Sequence, residues 1–373
     1  MLWRNDYSPQ QIDPHGEDWV VYPVNGYGTQ ETVRSILRTE RPDLLWFMTD
    51  PRFFAWLWEM EDEIRPLMPM VYYHVWDNYP YPDFNKIWYD SCDHIACISK
   101  VTHDIVSTVA PNVDSEYMPH SVDSNFFKPL TDEEKSELRE KSNIDNEKFV
   151  VFWNNRNARR KQSGSLIFWF AKFLERVGQD KAKLIMHTDP KDPNGPDLVA
   201  QIANLGLTNG EIQFSKEKVG PENLAAMYNV ADVTVNISDA EGFGLSTLES
   251  LSCGTPIIVN MTGGLQEQVT NGEDWYGIGI EPSSKAVIGS QDIPYIFEDR
   301  ISENDFVDAL EKMYNMPKAE RQELGASGRQ HTLKNYNFED LQESWRQTIK
   351  NIHKKHGSWE TRTGYKNWEL LEV

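Results

Sequence analysis

Residues 233–249 read VTVNISDAEGFGLSTLE, an apolar run, a glycine-rich turn and a helix-forming segment in direct succession. The run Val233–Ile237 predicts a buried strand, and the segment after Gly244 predicts a helix that continues toward Cys253. A Gly-x-Gly turn before a helix lets backbone N–H groups approach an anion, which the helix dipole also favours. The pattern predicts an anion-binding turn or, as the alternative, a solvated helix with a glycine-rich cap.

Two carboxylates belong to the same stretch. Glu241 lies in the turn at the carboxyl end of the predicted strand, the edge of a parallel sheet at which ligands bind. A carboxylate at this place can accept hydrogen bonds from sugar hydroxyls, and Glu249, farther along the helix, can reach a ribose diol. The stretch therefore suits a ligand with both pyrophosphate and sugar, held without a metal ion.

A basic segment, NNRNARRK at residues 154–161, follows another predicted strand. Arg156 and Lys161 can converge on a diphosphate, because a guanidinium forks around phosphate oxygens and an ammonium acts as a point charge. We expect Arg159 and Arg160 to remain in solvent or to pair with the acidic surface. For Arg156 and Lys161, too, a position in solvent or a pairing with acidic residues stays open as the alternative.

A pair of glycines follows a third predicted strand. Residues 262–267 read TGGLQE after the apolar run Pro256–Asn260, and a helix is expected to begin directly behind them. Gly263 and Gly264 can let the backbone approach a ligand, with an ordinary turn as the alternative. Three turns in this half of the chain are thus candidates for one binding site.

Short apolar runs alternate with helical patterns through almost the whole chain, which is typical of an α/β protein with parallel sheets. The predicted strands fall into two groups, so we expect two similar sheets in tandem. They are Trp19–Val24, Leu44–Thr49, Met70–His74, His94–Ser99 and Ser115–Met118 in the first half, and Lys148–Asn154, Lys183–Thr188, Ile212–Phe214, Val233–Ile237 and Pro256–Asn260 in the second.

A charged stretch, DEEKSELREKSNIDNEK at residues 132–148, separates the two groups and predicts a linker with a short solvated helix. We therefore expect an N-terminal domain at 1–131, a linker at 132–147 and a C-terminal domain at 148–336. The N-terminal domain is expected to be small or to lack early strands. Residues 337–373 predict a helix that crosses back to the N-terminal domain, since their apolar side chains have helical spacing.

The composition of the chain excludes some classes of function and disfavours others. The chain has 373 residues, 39% hydrophobic and 25% charged, which provides enough apolar material for two ordinary domains. With 37 Lys and Arg against 58 Asp and Glu, the net charge of −21 disfavours nucleic acid and anionic membranes as partners. No apolar stretch is long enough to span a membrane, and no signal-peptide pattern opens the sequence. Its 3 cysteines lack metal-binding spacing, so we expect buried thiols and a cytoplasmic protein.

Together these features resemble one family. The pair Glu241 and Glu249 in EGFGLSTLE, the pair Arg156 and Lys161, the runs CGTPIIV and GGLQE, and MPHSVDSNFF at 118–127 occur in the order found in glycosyltransferases of family 4. The similarity is clearest in the second half of the chain. It implies a GT-B architecture, in which two Rossmann-like domains face a central cleft.

The resemblance also implies roles for residues of the C-terminal domain. Glu249 would bind the ribose of a nucleotide sugar, and Glu241 would hold the donor sugar beneath its anomeric carbon. Arg156 and Lys161 would neutralise the diphosphate in place of a metal ion and stabilise the leaving group, so no metal and no cofactor are expected. The binding of the phosphates would be completed by Phe243, Gly244, Leu245, Gly263 and Gly264.

In the N-terminal domain the resemblance implies that His74 contacts the transferred sugar across the cleft and that Asp77 assists the acceptor. His120 would pack at the hinge. The family's first glycine-rich loop would be matched by Gly26 and Gly28, which would then belong to the site.

The sequence thus predicts a retaining, metal-independent glycosyltransferase that moves a sugar from a nucleoside diphosphate sugar to an acceptor. The acidity of the N-terminal domain favours a soluble glycan, protein or small molecule as acceptor over a lipid. Two alternatives stay open: a non-catalytic nucleotide-sugar or glycan-binding protein with a degenerate N-terminal lobe, and another GT-B enzyme such as a sugar-phosphate phosphorylase or an epimerase. The donor base, the donor sugar and the oligomeric state are not predicted.

Overall fold

The computed structural model describes residues 10–11, 20–24 and 26–365. Two parallel sheets with helices against them organise the chain, so the fold is α/β with two Rossmann-like lobes, as predicted. The N-terminal lobe holds a four-stranded sheet and the C-terminal lobe a six-stranded one. In the described part of the chain, no helix is both long and apolar enough to cross a membrane.

The N-terminal lobe is built on four consecutive parallel strands. Its elements are β1 (Gln10–Gln11), β2 (Val20–Val21), α1 (Gln30–Glu40), β3 (Leu45–Thr49), α2 (Pro51–Trp58), α3 (Glu61–Ile64), β4 (Met70–His74), α4 (Lys86–Asp90), β5 (His94–Cys97), α5 (Lys100–Val109) and β6 (Ser115–Tyr117). The sheet order is β3–β4–β5–β6. Strands β4 and β5 are buried along their whole length, because helices and the other lobe cover both faces of the sheet.

The C-terminal lobe contains the larger sheet. Its elements are α6 (Asp132–Lys141), β7 (Phe149–Asn154), α7 (Ser163–Val177), β8 (Ala182–His187), α8 (Leu198–Leu205), β9 (Ile212–Ser215), α9 (Pro221–Val230), β10 (Val233–Asn236), α10 (Leu245–Ser252), β11 (Ile257–Asn260), α11 (Leu265–Val269), β12 (Gly277–Ile280), β13 (Ser284–Ile288), β14 (Ile296–Arg300), α12 (Glu303–Asn315), α13 (Lys318–Asn335) and α14 (Phe338–His356). The order β12–β11–β10–β7–β8–β9 makes β7 and β10 direct neighbours. The turns that follow these two strands therefore meet.

Of the predicted strand Trp19–Val24, only Val20–Val21 is a strand among the described residues, and it lies outside the main sheet. Trp19 lies outside the described residues, and Val20–Val21 pairs antiparallel with Gln10–Gln11 rather than with the main sheet. Pro23 follows this short strand, and a proline has no N–H to donate to a sheet ladder. The other predicted strands are present, with ends that differ by one or two residues.

A hairpin that the sequence patterns did not predict joins the two lobes. Strands β13 and β14 pair antiparallel, and Ile293 and Ile296 pack in the apolar core of the N-terminal lobe. The backbone N–H of Phe297 donates to the carbonyl of Tyr79 at 2.6 Å, and the Asn78 amide donates to the carbonyl of Phe297 at 2.7 Å. Because β13 is mostly exposed, its sequence has no apolar run that would reveal it.

The helix α6 fills most of the charged stretch between the sheets. A capping box formed by Thr131 and Glu134 begins it. The guanidinium of Arg139, near its end, donates to the Val230 carbonyl at 2.9 Å and to the Asp232 carboxylate at 2.8 Å. The helix therefore packs on the C-terminal lobe.

The last helix, α14, lies against the N-terminal sheet. Trp345 packs edge-on against Trp46 and Tyr73, with ring centroids 5.7 and 5.0 Å away. The Thr348 hydroxyl donates to the Glu116 carboxylate at 2.6 Å. The hairpin and the last helix thus both contact the first lobe.

Candidate active site

The candidate active site is a cavity of about 450 Å³ between the lobes, at the carboxyl ends of β7 and β10. Residues of both lobes line it, as a cleft between two Rossmann-like domains requires. They are Val75, Asp77, Ile98 and His120 from the N-terminal side, and Asn154, Asn155, Arg160, Glu241, Gly242, Phe243, Gly244, Leu245, Ser246 and Glu249 from the C-terminal side.

The amino terminus of α10 forms one wall of the cavity. Gly244 precedes the helix with a φ of 93°, a backbone conformation that L side chains rarely adopt. Within the described residues no side chain caps this helix, and Leu245 and Ser246 line the cavity. The first N–H groups and the positive end of the helix dipole therefore face a place where an anion can bind.

The glycine pair Gly263 and Gly264 packs against this turn and does not line the cavity. A Cβ atom on Gly263 would lie 1.9 Å from the carbonyl oxygen of Glu241, and one on Gly264 would lie 2.7 Å from the Cα of Phe243. The Gly264 N–H already donates to the Glu241 carbonyl at 3.0 Å. Neither glycine lines the described cavity, so their predicted contact with phosphate is replaced by a packing role beneath the turn.

A buried ion pair lies at the centre of the site. The ammonium of Lys161 donates to the carboxylate of Glu241, and both residues are at most 9% exposed. Burial opposes ionisation of Glu241, but the charges of Lys161 and Arg160 outweigh it and hold the pKa of Glu241 below its usual value. Burial also lowers the pKa of Lys161, against the attraction of the carboxylate. Asn236 adds a hydrogen bond to Glu241 at 3.4 Å.

The four residues of the basic segment that carry positive charge point in different directions. Arg159–Lys161 form one 3-10 turn, in which successive side chains diverge. Arg156 is 65% exposed and pairs with Asp192 at 2.6 Å, so the structure does not bring it into the cavity. Arg159 pairs with Glu298 of the hairpin, as its predicted pairing with acidic residues allows.

The structure differs from the prediction for Arg160. Instead of remaining in solvent, its guanidinium lines the cavity and donates to the carbonyl of Ala240 in the neighbouring turn. The second cation of the site is therefore Arg160, next to Lys161, and not Arg156. Sequence patterns could not distinguish Arg160 from Arg156, since any of these cations fits a diphosphate by charge alone.

Glu249 lies at the far end of the cavity. It accepts a hydrogen bond of 2.6 Å from the Tyr228 hydroxyl, which in turn accepts one of 2.8 Å from the Asn154 amide. Burial raises the pKa of Glu249 to about 7, although the hydrogen bond from Tyr228 opposes the shift. The amide nitrogen of Asn155, also in the lining, has no hydrogen-bond partner in the described part of the chain. A buried donor without a partner is costly unless a ligand meets it.

On the N-terminal side of the cleft, Asp77 lines the cavity and His74 does not. His74 is fully buried, and its ring nitrogens lie 2.7 Å from the hydroxyls of Tyr72 and Tyr89, so it cannot reach a sugar in the cleft. Burial lowers the pKa of His74 to about 3. Asp77, past the end of the same strand, lines the cavity, and burial raises its pKa to about 6 while Arg160 opposes the shift.

The remaining predicted residues lie at the edge of the site or away from it. His120 lines the cavity, with Nδ1 2.9 Å from the Tyr73 hydroxyl and its ring edge-on to Phe243. It therefore packs between the lobes, as expected. Gly26 and Gly28 have positive φ angles but are not among the described residues that line the cavity. Gly28 lies beside Trp56 on the N-terminal lobe.

Sequence reasoning missed three polar residues of the lining or its support. They are Asn154, Asn155 and Tyr228. Asn154 is the last residue of β7 and Asn155 follows it, and polar residues at the carboxyl end of a predicted parallel strand were a usable signal. Within the described residues, no group of three His, Cys, Asp or Glu side chains comes together in a way that could hold a metal ion.

The two facing lobes and the cleft between them define a GT-B protein. The structure resembles sucrose-phosphate synthase from Thermosynechococcus elongatus with a TM-score of 0.73 and 16% identity, over 95% of this chain and 87% of that one. It also resembles Anabaena HepE in complex with UDP and glucose, with a TM-score of 0.66 and 15% identity, over 85% of this chain and 80% of that one. The chain belongs to the family described as glycosyl transferases group 1, whose sequence model matches residues 134–331.

Curated relatives match over shorter parts of their length. Alpha-monoglucosyldiacylglycerol synthase of Streptococcus pneumoniae is 29% identical over 170 residues, 45% of this chain and 37% of that protein. N-acetyl-alpha-D-glucosaminyl L-malate synthase of Bacillus anthracis is 24% identical over 247 residues, 64% and 60% of the two chains. The match thus covers between 37% and 60% of the length of these two relatives.

Proposed function

We propose that this protein is a retaining glycosyltransferase of family 4 that transfers a sugar from a nucleoside diphosphate sugar to an acceptor without a metal ion. The observation that carries the proposal is the buried pair of Lys161 and Glu241 beside the open amino terminus of α10. The cation and the free backbone donors match the diphosphate leaving group of such a donor, and the carboxylate matches its sugar. Retention of configuration rests on the family resemblance.

The cations would act on the leaving group. When the bond between the anomeric carbon and the phosphate oxygen breaks, negative charge grows on the departing diphosphate. The ammonium of Lys161, the guanidinium of Arg160 and the first N–H groups of α10 would stabilise that charge. Lys161 would exchange its partner from Glu241 to the diphosphate, which releases the carboxylate for the hydroxyls of the donor sugar.

The nucleoside would lie at the Glu249 end of the cavity. The Glu249 carboxylate, held by Tyr228, accepts hydrogen bonds from a ribose diol, and the unpaired amide of Asn155 offers a donor nearby. Other contacts hold the two lobes together. The Glu267 carboxylate accepts from the Lys100 N–H at 2.8 Å and from the Tyr117 hydroxyl at 2.6 Å. Closure of this kind keeps water from the donor and favours transfer over hydrolysis.

The acceptor would enter on the Asp77 side. We propose a soluble glycan, a protein or a small molecule as its class, and the cytoplasm as the compartment, in keeping with three buried free cysteines among the described residues. The relatives are named for acceptors as different as malate and a diacylglycerol derivative, so their names do not select one.

Calorimetric titration with UDP, GDP and ADP, each with Mg²⁺ and with EDTA, tests the proposal. We expect one nucleotide to bind with the same affinity in both conditions. The Glu249→Ala variant should lose this binding, whereas Glu222→Ala, which removes an exposed carboxylate on α9, should retain it. Binding of none of the three nucleotides, or binding that requires Mg²⁺, contradicts the proposal. The sugar conjugates of the selected nucleotide then serve in transfer assays.

Nucleotide affinity should increase with pH. Because burial raises the pKa of Glu249 to about 7, the group is mostly protonated at pH 6 and mostly ionised at pH 8. Only the ionised form offers all its oxygens to a ribose diol, so affinity is expected to rise about tenfold between these pH values. The nucleotide phosphate titrates in the same range, and the Glu249→Gln variant corrects for it. Equal slopes for the wild type and the variant would exclude this role of Glu249.

Replacing Asp77 by Asn should weaken transfer and leave nucleotide binding unchanged. A hydrogen bond to a charged group contributes about 1.5–3 kcal/mol, so kcat/KM for the acceptor is expected to fall about tenfold to a hundredfold. Steady-state kinetics at saturating donor measures the effect, with Asp83→Asn, an exposed carboxylate of the same lobe, as the matched control. Loss of nucleotide affinity in Asp77→Asn would place the residue on the donor side instead.

A further inference from the structure

A second cavity lies at the opposite edge of the C-terminal sheet. Its volume is about 610 Å³, within the range of small-molecule pockets. It opens between α6 and α13, at the amino ends of the parallel strands, where Phe149, Asp232 and Pro256 mark the starts of β7, β10 and β11. None of the described residues that line it also lines the cleft between the lobes.

The walls of this cavity carry an excess of positive charge. Five cationic side chains line it, against three acidic ones, in a chain whose net charge is −21. The cations are Lys135, Arg139, Lys148, Lys318 and Arg321, and the acids are Asp132, Glu147 and Asp232. A local charge opposite to that of the whole molecule is the electrostatic feature that concentrates anions at a surface.

Two of the cations form a fixed wall. The guanidinium groups of Arg139 and Arg321 both pair with Asp232, at 2.8 and 3.2 Å. Arg139 also donates to backbone carbonyls of Asn146 and Lys148 at 3.2 Å. These contacts satisfy most of the donors of the two guanidinium groups, so the wall is ordered before any ligand arrives.

Lys135 is different. It lies on the cavity side of α6 and is half-buried, yet no hydrogen bond or ion pair from the described residues reaches its ammonium group. Lys318, across the cavity mouth, has only a long contact of 3.5 Å with Asp132. Burial lowers the pKa of Lys135, which reflects the cost of a charge without a partner. An anion in the cavity would supply that partner.

We propose that this cavity binds a small phosphate ester, with Lys135 and Lys318 in contact with its phosphate group. Among the described residues, this cavity and the cleft share no lining residue, and they lie at opposite ends of β7. The cavity holds a molecule of the size of a sugar phosphate, and the rigid pair of Arg139 and Arg321 forms the back of the site. The proposal does not depend on the transfer reaction.

The test uses inorganic phosphate and glucose 6-phosphate as probes in calorimetric titrations at 0.15 M NaCl. The variants are Lys135→Gln for the cavity, Lys141→Gln for an exposed lysine on the same helix, and Lys161→Gln for the cleft. We expect glucose 6-phosphate to bind the wild type more tightly than phosphate does. Lys135→Gln should weaken this binding at least tenfold, whereas the other two variants should retain it.

Thermal unfolding without ligand is the second measurement. Because no hydrogen bond or ion pair among the described residues holds the Lys135 ammonium, Lys135→Gln should melt at the same temperature as the wild type or higher, and only the increase caused by glucose 6-phosphate should disappear. Three results would overturn the proposal: no binding of either probe, equal binding by Lys135→Gln and the wild type, or a loss confined to Lys161→Gln, which would assign the anion to the cleft.

Discussion

Replacing Lys161 by Met is expected to lower kcat for sugar transfer by about 100- to 1000-fold. Removal of one preorganised donor to developing negative charge costs roughly 2.7–4 kcal/mol of transition-state stabilisation, which corresponds to that loss. Lys161 is a buried cation that pairs with the carboxylate of Glu241, and Glu241 lines the same cavity as the amino terminus of α10. Steady-state kinetics at saturating donor and acceptor measures the effect.

The same substitution should also destabilise the protein. It leaves the Glu241 carboxylate buried without its partner, and breaking a buried ion pair on one side costs about 3–5 kcal/mol of unfolding free energy. The double variant Lys161→Met, Glu241→Gln carries no buried charge at this place and should recover much of the lost stability but none of the activity. Chemical denaturation of both variants separates folding from catalysis.

A matched control strengthens the comparison. Lys181 is an exposed lysine of the same lobe, and Lys181→Met should leave kcat and stability unchanged. If the Lys161→Met variant transferred sugar at the wild-type rate, or if the double variant regained activity together with stability, the proposed role of Lys161 in stabilising the leaving group would be wrong.

Replacing Gly263 by Ala should damage both stability and donor binding. The residue has a φ of 49°, and its added Cβ would lie 1.9 Å from the carbonyl oxygen of Glu241. Left-handed backbone strain and overpacking each cost about 1–3 kcal/mol, so the unfolding free energy should fall by at least about 2 kcal/mol. Because the turn that carries Glu241 and Phe243 must move, nucleotide affinity should fall as well. Denaturation and calorimetric titration measure the two effects.

Gly206 provides the control for this variant. It has a φ of 72° at the end of α8, and nothing lies within 4 Å of an added Cβ atom. Gly206→Ala therefore introduces backbone strain without a clash and should leave nucleotide affinity unchanged. Equal losses of stability in the two variants, with nucleotide binding intact in both, would mean that the glycine pair does not support the turn.

The fold could be predicted because buried parallel strands occur as apolar runs in the sequence. Strands such as Met70–His74 and Phe149–Asn154 are apolar runs except for their last residue, since both faces of their sheets are covered. The pairing of Lys161 with Glu241 is consistent with the same pattern, because turns after neighbouring strands share one sheet edge. That β7 and β10 are neighbours is not visible in the sequence.

The direction of individual side chains could not be predicted. Four cations occur within six consecutive residues; Arg160 lines the cavity from the 3-10 turn Arg159–Lys161, whereas Arg156, before that turn, pairs with Asp192. His74 points into the interior of the lobe, where two tyrosine hydroxyls meet its ring, and a buried strand gives no polar alternation from which to read that direction. The hairpin escaped prediction because its first strand is exposed.

The hairpin of β13 and β14 also affects how the molecule folds. Its residues Ile293 and Ile296 belong to the second half of the sequence, yet they are buried among apolar side chains of the first. Full burial of an isoleucine is worth about 1.5–3 kcal/mol, so the N-terminal core gains stability only after the later residues have arrived. The two lobes are therefore not independent folding units, and the second half of the chain completes the hydrophobic core of the first.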